Sequence, residues 1–192
     1  MPSSEVHPTL RVAPPTLPLG ERVNFASVFE GLAKAFGAAQ VRDEFKALGV
    51  DLDHLQAAYP HSVFIDAVAV LAKKFFPQLP PDEAWFQVGV RNLEGFYDTL
   101  LGRPLFALLR LMGPRRAAAR MKSNFRSANN YSESKLVEVA PRELQLWMND
   151  TGLVRSFIAG VMHRGLQMAG ADGIRVEALA TDEAGTVYRI TW

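Results

Sequence analysis

Cysteine is missing from this 192-residue chain. Disulfides, thiol nucleophiles and cysteine-based metal sites are thereby excluded. Long apolar runs are missing too. No stretch approaches the ~20 residues of a membrane-spanning helix. The segment Met1–Gly20 has prolines at 8, 14, 15 and 18 and no apolar core, so it does not read as a signal peptide. A cytoplasmic protein without a membrane span is the expectation. Histidine is scarce: His7, His54, His61 and His163 show no H-x-x-x-H or H-E-x-x-H spacing. No metal site is therefore expected. G-x-S-x-G, G-x-G-x-x-G and G-x-x-x-x-G-K-S/T are also absent, so no catalytic residue is assigned and no cofactor is expected. The chain reads as a non-enzyme.

Negative charge is absent over a long internal span. Between Thr99 and Ser132 there is no acidic residue, and the same span holds Arg103, Arg110, Arg115, Arg116, Arg120, Lys122 and Arg126. The whole chain carries only +1, so the remainder is net acidic and charge is segregated. At 100° per residue, Arg115, Lys122 and Arg126 share one helix arc and Arg116 and Arg120 flank it. Ala117, Ala118, Met121 and Phe125 form the opposite, small and apolar face. NFRSANNY (124–131) then gives a polar exit, whose Asn and Ser side chains suit loop backbone or a pocket wall. The candidate ligand- or partner-binding residues are Arg115, Arg116, Arg120, Arg126, Asn129, Asn130 and Tyr131. A solvated helix face paired with acids from elsewhere in the fold is the blander account. Nucleic acid is not expected, because the total charge is near neutral and no groove-reading motif occurs.

Hydrophobic periodicity organises the rest. Residues 1–22 read as a disordered, proline-rich tail and residues 23–192 as a single domain. A helix is expected from an Asn24 cap, with Phe25, Val28, Phe29, Leu32 and Phe36 recurring at helical spacing up to Gly37. Further helices follow near 41–48, from Pro60 to Pro77, and from Pro80–Pro81 to about Leu101. Pro104–Met112 and a basic helix opening at Pro114 complete the helical half. After Tyr131 the period falls to two. Residues 134–150 read as a hairpin turning at Pro141–Arg142, with Leu144, Leu146 and Met148 alternating with Glu143, Gln145 and Trp147. A helix near 153–169 and a second hairpin around 181–185 follow. The fold class is α+β: an N-terminal helical bundle, then a four-stranded antiparallel sheet with a crossing helix.

FEGL (29–32), LGVDL (48–52), EGFYDTLLGRPL (94–105), GPRR (113–116), RMKSNFRSANNY (120–131), ELQLWMND (143–150) and YRITW (188–192) carry a family resemblance. On them the chain resembles a myxobacterial paralogous family of roughly 200-residue proteins of unknown function. FIAGVMHRGLQMAG (157–170) with its following strands is similar to the end of TRAPP tethering subunits and the 4-vinyl reductase domain. These share a fold with haem-based nitric-oxide sensors. The resemblance implies a fold that binds an apolar small molecule or a partner subunit. Two departures limit it. Without cysteine the acylated cysteine of the tethering subunits has no counterpart. The Tyr-x-Ser-x-Arg haem-propionate motif is also missing, since Tyr131 is followed two positions later by Glu133.

The leading expectation is a non-enzymatic regulatory domain. It would act through a protein partner or a homodimer and be gated by a ligand. A small-molecule sensor with an apolar or anionic ligand is the alternative, and an enzyme of unknown reaction the third.

Overall fold

The computed structural model describes residues 5–99 and 102–192. The helical half opens with β1 (Val23–Phe25), α1 (Ala26–Phe36) and α2 (Ala38–Ala47). Then come β2 (Ala58–Pro60), α3 (His61–Phe75) and α4 (Pro81–Tyr97). It closes with α5 (Gly102–Ala119) and the short α6 (Met121–Arg126). The apolar stripe of α1 is buried as its spacing demands, with Phe29, Leu32 and Phe36 in the main core. Asn24 does not cap α1. It lies in β1, whose antiparallel pairing with β2 sets Asn24 opposite Tyr59. Three-residue strands carry too few alternations to show a period of two, so neither was expected from the sequence.

The α4 helix starts at Pro81 with Asp82 and Glu83 in its first turn, as proline and carboxylates favour there. It ends at Tyr97, four residues short of the expected Leu101; Leu100 and Leu101 themselves lie outside the described residues. The expected break at Gly113–Pro114 is present: Gly113 has φ 76° and interrupts α5. The basic helix is itself divided, because Arg120 leaves helical geometry between α5 and α6.

The sheet half follows the expected order. Strands β3 (Ser134–Ala140) and β4 (Glu143–Met148) precede α7 (Val154–Met168), and β5 (Arg175–Thr181) and β6 (Thr186–Thr191) follow it. Both hairpins join one antiparallel sheet in the order β3-β4-β6-β5. Leu144, Leu146 and Met148 of β4 and Tyr188 and Ile190 of β6 enter the main core with Met162 and Leu166 of α7. Helix α4 is the centre of the fold, packing on α1, α3 and α7.

The opposite sheet face is covered by the N-terminal segment that the sequence suggested was a disordered tail. Leu10 packs with Trp147 and Val187, which are cross-strand partners on β4 and β6. Hydrogen bonds fasten the segment: His7 N–H donates to Gln145 Oε1 (2.8 Å), and Gln145 Nε2 donates to the Glu5 carbonyl (2.8 Å). Proline and the lack of a period argue against an α-helix or strand, but a single 3-10 turn, Pro8–Arg11, is enough to set Leu10 on the apolar patch. Leu10→Ala is expected to lose about 2 kcal/mol in urea unfolding, at the low end for a buried leucine because this cluster is small and peripheral.

Candidate functional site

The helical half, the chain around α6 and the helix α7 line a partly open cavity of about 120 Å³. Phe96 of α4, Phe106 and Leu109 of α5, Phe125 of α6, and Phe157 and Ile158 of α7 supply apolar wall. The regularity of those helices explains the arrangement, since each turns one apolar stripe toward the same interior. Small residues in the lining keep it open: Ala117 is buried in the wall, and a Cβ on Gly165 would sit 3.2 Å from Leu93 Cδ2. Asn92 of α4 lines the cavity too, 9% exposed, with an amide oxygen that is buried and has no hydrogen-bond partner among the described residues.

One end of the cavity is polar. Asn24 of β1 and Tyr131 both line it, and His61 stands behind them at the start of α3. His61 Nδ1 is 3.0 Å from Asn24 Oδ1 and 3.0 Å from Tyr131 Oη. Asn24 Nδ2 also donates to Tyr131 Oη, at 3.4 Å. Burial, seconded by the Arg22 charge, pushes the His61 pKa down to about 4, so the imidazole is neutral at pH 7. Burial pushes the Tyr131 phenol up to about 12, so it too is neutral. Tyr131 is the one ionisable side chain among the described residues lining the cavity.

The residues chosen from the sequence divide into three groups. Asn129 and Tyr131 reach the cavity wall. Arg126, Asn129 and Asn130 build the loop that carries Tyr131. Asn129 Oδ1 accepts from the Tyr131 and Ser132 amides (3.1 and 2.8 Å). Asn130 Oδ1 accepts from Val23 N–H (2.9 Å), and its Nδ2 donates to the Glu21 carbonyl (3.0 Å). Arg126 donates to the carbonyls of Ser132 (2.9 Å) and Asn130 and pairs with Glu133 at 2.6 Å. Arg115, Arg116 and Arg120 stand apart from the cavity. Arg115 forms a two-pronged pair with Glu138 of β3, and with Arg116 it borders an open hollow beside Arg142 and Trp192.

The arc of Arg115, Lys122 and Arg126 thus meets two acids of the sheet half, Glu133 and Glu138. Burial raises the Glu133 pKa, but Lys122 and Arg126 outweigh it and hold the carboxyl below its usual value. Neither Arg116 nor Arg120 has an ion-pair partner among the described residues, and both are exposed. The double variant Arg116→Glu/Arg120→Glu is therefore expected to unfold within about 0.5 kcal/mol of the parent in urea.

Asn24, His61 and Asn92 were not chosen from the sequence. His61 lies 37 residues from Asn24 and 70 from Tyr131, and no spacing rule joins positions that far apart. Asn24 read as a helix cap and His61 as a loop residue. The one usable signal was the polar exit itself, which did lead to Tyr131.

Comparison with known proteins places this geometry. Residues 22–192 match the family model described as "Protein of unknown function (DUF2378)". No curated protein matches the chain. Among solved structures, the unliganded Fe(II) H-NOX protein from K. algicida is similar with a TM-score of 0.57 and 13% identity, covering 86% of this chain and 94% of that one. The Cs H-NOX mutant carrying 4-cyano-L-phenylalanine has a TM-score of 0.61 and 14% identity, with coverage of 86% and 92%. An oxygen-binding H-NOX domain related to soluble guanylate cyclases, in its oxygen complex, has a TM-score of 0.55 and 17% identity, with coverage of 86% and 90%. At such identities the likeness is one of fold.

Those neighbours raise the question of haem. Haem iron is held by His, Cys, Met or Tyr. No His or Cys lines this cavity among the described residues. Of the two side chains of suitable type that do, Tyr131 has its oxygen engaged by His61 and Asn24, and Met121 stands without a His or Cys beside it. No described Arg or Lys lines the cavity to pair with propionates. A volume of about 120 Å³ is close to the ~150 Å³ of a cavity that holds benzene and far short of a porphyrin. The residues present do not fit haem.

Proposed function

We propose that this chain, which belongs to the DUF2378 family of proteins of unknown function, is a sensor-type binding domain for a small apolar ligand held between its helices. The observation that carries the reading is the cavity: a mostly apolar chamber with one polar end, inside a fold shared with H-NOX domains. Apolar walls with a few placed polar groups are how small-molecule sites are built. The size supports a ligand near that of benzene rather than a drug-sized molecule. Binding rather than catalysis is supported by the lining. Its single ionisable group, Tyr131, stays protonated far above pH 7 and so cannot act as a general base there.

Titration with benzene, followed by methyl NMR, tests the reading. Resonances of Leu93, Leu109, Ile158 and Val161 are expected to shift saturably. Those of Val41 and Leu71, buried in the core but outside the cavity lining, are expected to stay in place. Uniform shifts, or none, would remove the cavity as a ligand site.

A further inference from the structure

The polar end of the cavity has an unused proton. Asn24 Oδ1 can only accept, so the His61 Nδ1 facing it at 3.0 Å carries the imidazole hydrogen. Tyr131 Oη, also 3.0 Å from Nδ1, is then an acceptor from that same N–H. Asn24 Nδ2 approaches Oη as a second donor. A phenol oxygen has two acceptor sites and one hydrogen. With both acceptor sites facing donors, the Tyr131 hydroxyl hydrogen is left over, and no other partner for Oη occurs among the described residues. Burying an unpaired donor is costly, and such a donor on a cavity wall is relieved by an acceptor on whatever occupies the cavity.

The ring is held in place for that role. It packs edge-on to His61 at 4.7 Å between centroids, and the Arg22 guanidinium lies 5.4 Å from its centroid. The Asn129 side chain fixes the Tyr131 backbone amide. The phenol is therefore oriented before any ligand arrives, which lowers the entropic cost of binding.

Resting on the cavity reading above, we infer that the ligand is a molecule of about six heavy atoms, apolar but for one carbonyl-type oxygen, and that the Tyr131 hydroxyl donates to this oxygen. A pure donor such as an ammonium group would meet the Tyr131 hydroxyl hydrogen, itself a donor, and is selected against. A pure hydrocarbon fits the walls and leaves the phenol hydrogen unpaired.

The test uses two probes of like size, cyclopentanone and methylcyclopentane, titrated by NMR into the full chain and into Tyr131→Phe. Tyr131→Phe is expected to weaken cyclopentanone roughly five- to tenfold, the worth of one net hydrogen bond, and to leave methylcyclopentane within about twofold. Equal effects on both probes, or none on either, would overturn the inference while leaving the cavity reading in place. Failure of both probes to bind the unaltered chain would overturn the cavity reading and this inference together. Should Tyr131→Phe not fold, the Tyr131 Cζ resonance of the unaltered chain serves instead. It is expected to move with cyclopentanone and not with methylcyclopentane, and an equal response to both would overturn the inference.

Discussion

Replacing Gly160 by valine should lower stability by about 3 kcal/mol or more, the upper range for overpacking. The reason is backbone contact between α7 and α4. A Cβ on Gly160 would lie 3.0 Å from the carbonyl carbon of Phe86, and its oxygen is nearer still. The contact is mutual: a Cβ on Gly89 would lie 2.9 Å from the carbonyl carbon of Phe157. These obstacles are helix backbone, not the tips of flexible side chains, so relief requires the two helices to separate. Both helices also wall the cavity, through Phe96 on one and Phe157 and Ile158 on the other. Helix propensity favours the change by up to about 1 kcal/mol and cannot offset it. A midpoint lower by roughly 6–12 °C is expected for a chain of this size. Gly20→Ala, which meets nothing within 4 Å, is the control and should change little. A Gly160→Val protein as stable as the parent would show that the helices can part freely.

The second large effect concerns Asp150, in the link between β4 and α7. Its carboxyl is buried, Oδ2 meets the Tyr188 hydroxyl, and Oδ1 has no partner among the described residues. Burial pushes its pKa up from 3.8 to about 7. A protonated Asp150 also accounts for the contacts. Its O–H donates to Tyr188, and Tyr188 donates onward to the Arg155 carbonyl at 3.0 Å, so each hydrogen has an acceptor. Between pH 4 and 7 the unfolded chain has released this proton and the folded chain retains it. Folded stability therefore falls as pH rises through that window and is flat above it. The full difference amounts to roughly 4 kcal/mol.

His61 acts in the opposite direction. Its folded pKa of about 4 lies below the ordinary 6.5, so between those values the unfolded chain binds the proton and stability rises with pH. The two slopes oppose one another from pH 4 to 6.5. Asp150→Asn removes one of them and keeps a neutral amide that can donate to Tyr188. The variant should gain about 3–4 kcal/mol over the parent at pH 8 and almost nothing at pH 4. It should also lose stability on acidification from pH 6.5 more steeply than the parent. Urea unfolding from pH 4 to 8 measures both, and parallel profiles would show that Asp150 is ionised throughout.

Much of the architecture was legible in the chain. Alternation in Leu144, Leu146 and Met148 marked β4, and the run from Val154 to Met168 marked α7. Pro80–Pro81 marked the start of α4, and Gly113–Pro114 marked the break within α5. The basic arc was legible as well, although its acids, Glu133 and Glu138, lie on the far side of a turn and were not assigned to it. Of the polar end of the cavity, only Asn129 and Tyr131 were legible. Asn24, His61 and Tyr131 meet through a strand pair of three residues and an irregular loop, and neither leaves a period in the sequence.

By itself, then, the sequence determined the element order, the α+β class, the absence of thiol chemistry and the segregation of charge. These depend on local backbone preference and on which side chains avoid water, and both are written residue by residue. Only the tertiary structure decided that an N-terminal 3-10 turn packs Leu10 on the outer face of the sheet and that paired glycines bring α4 against α7. It alone decided that three polar residues far apart in the chain converge on one end of an apolar cavity. Such convergence depends on distances between elements, which are set by packing volume and hydrogen bonds across the core rather than by the identity of any neighbouring residue.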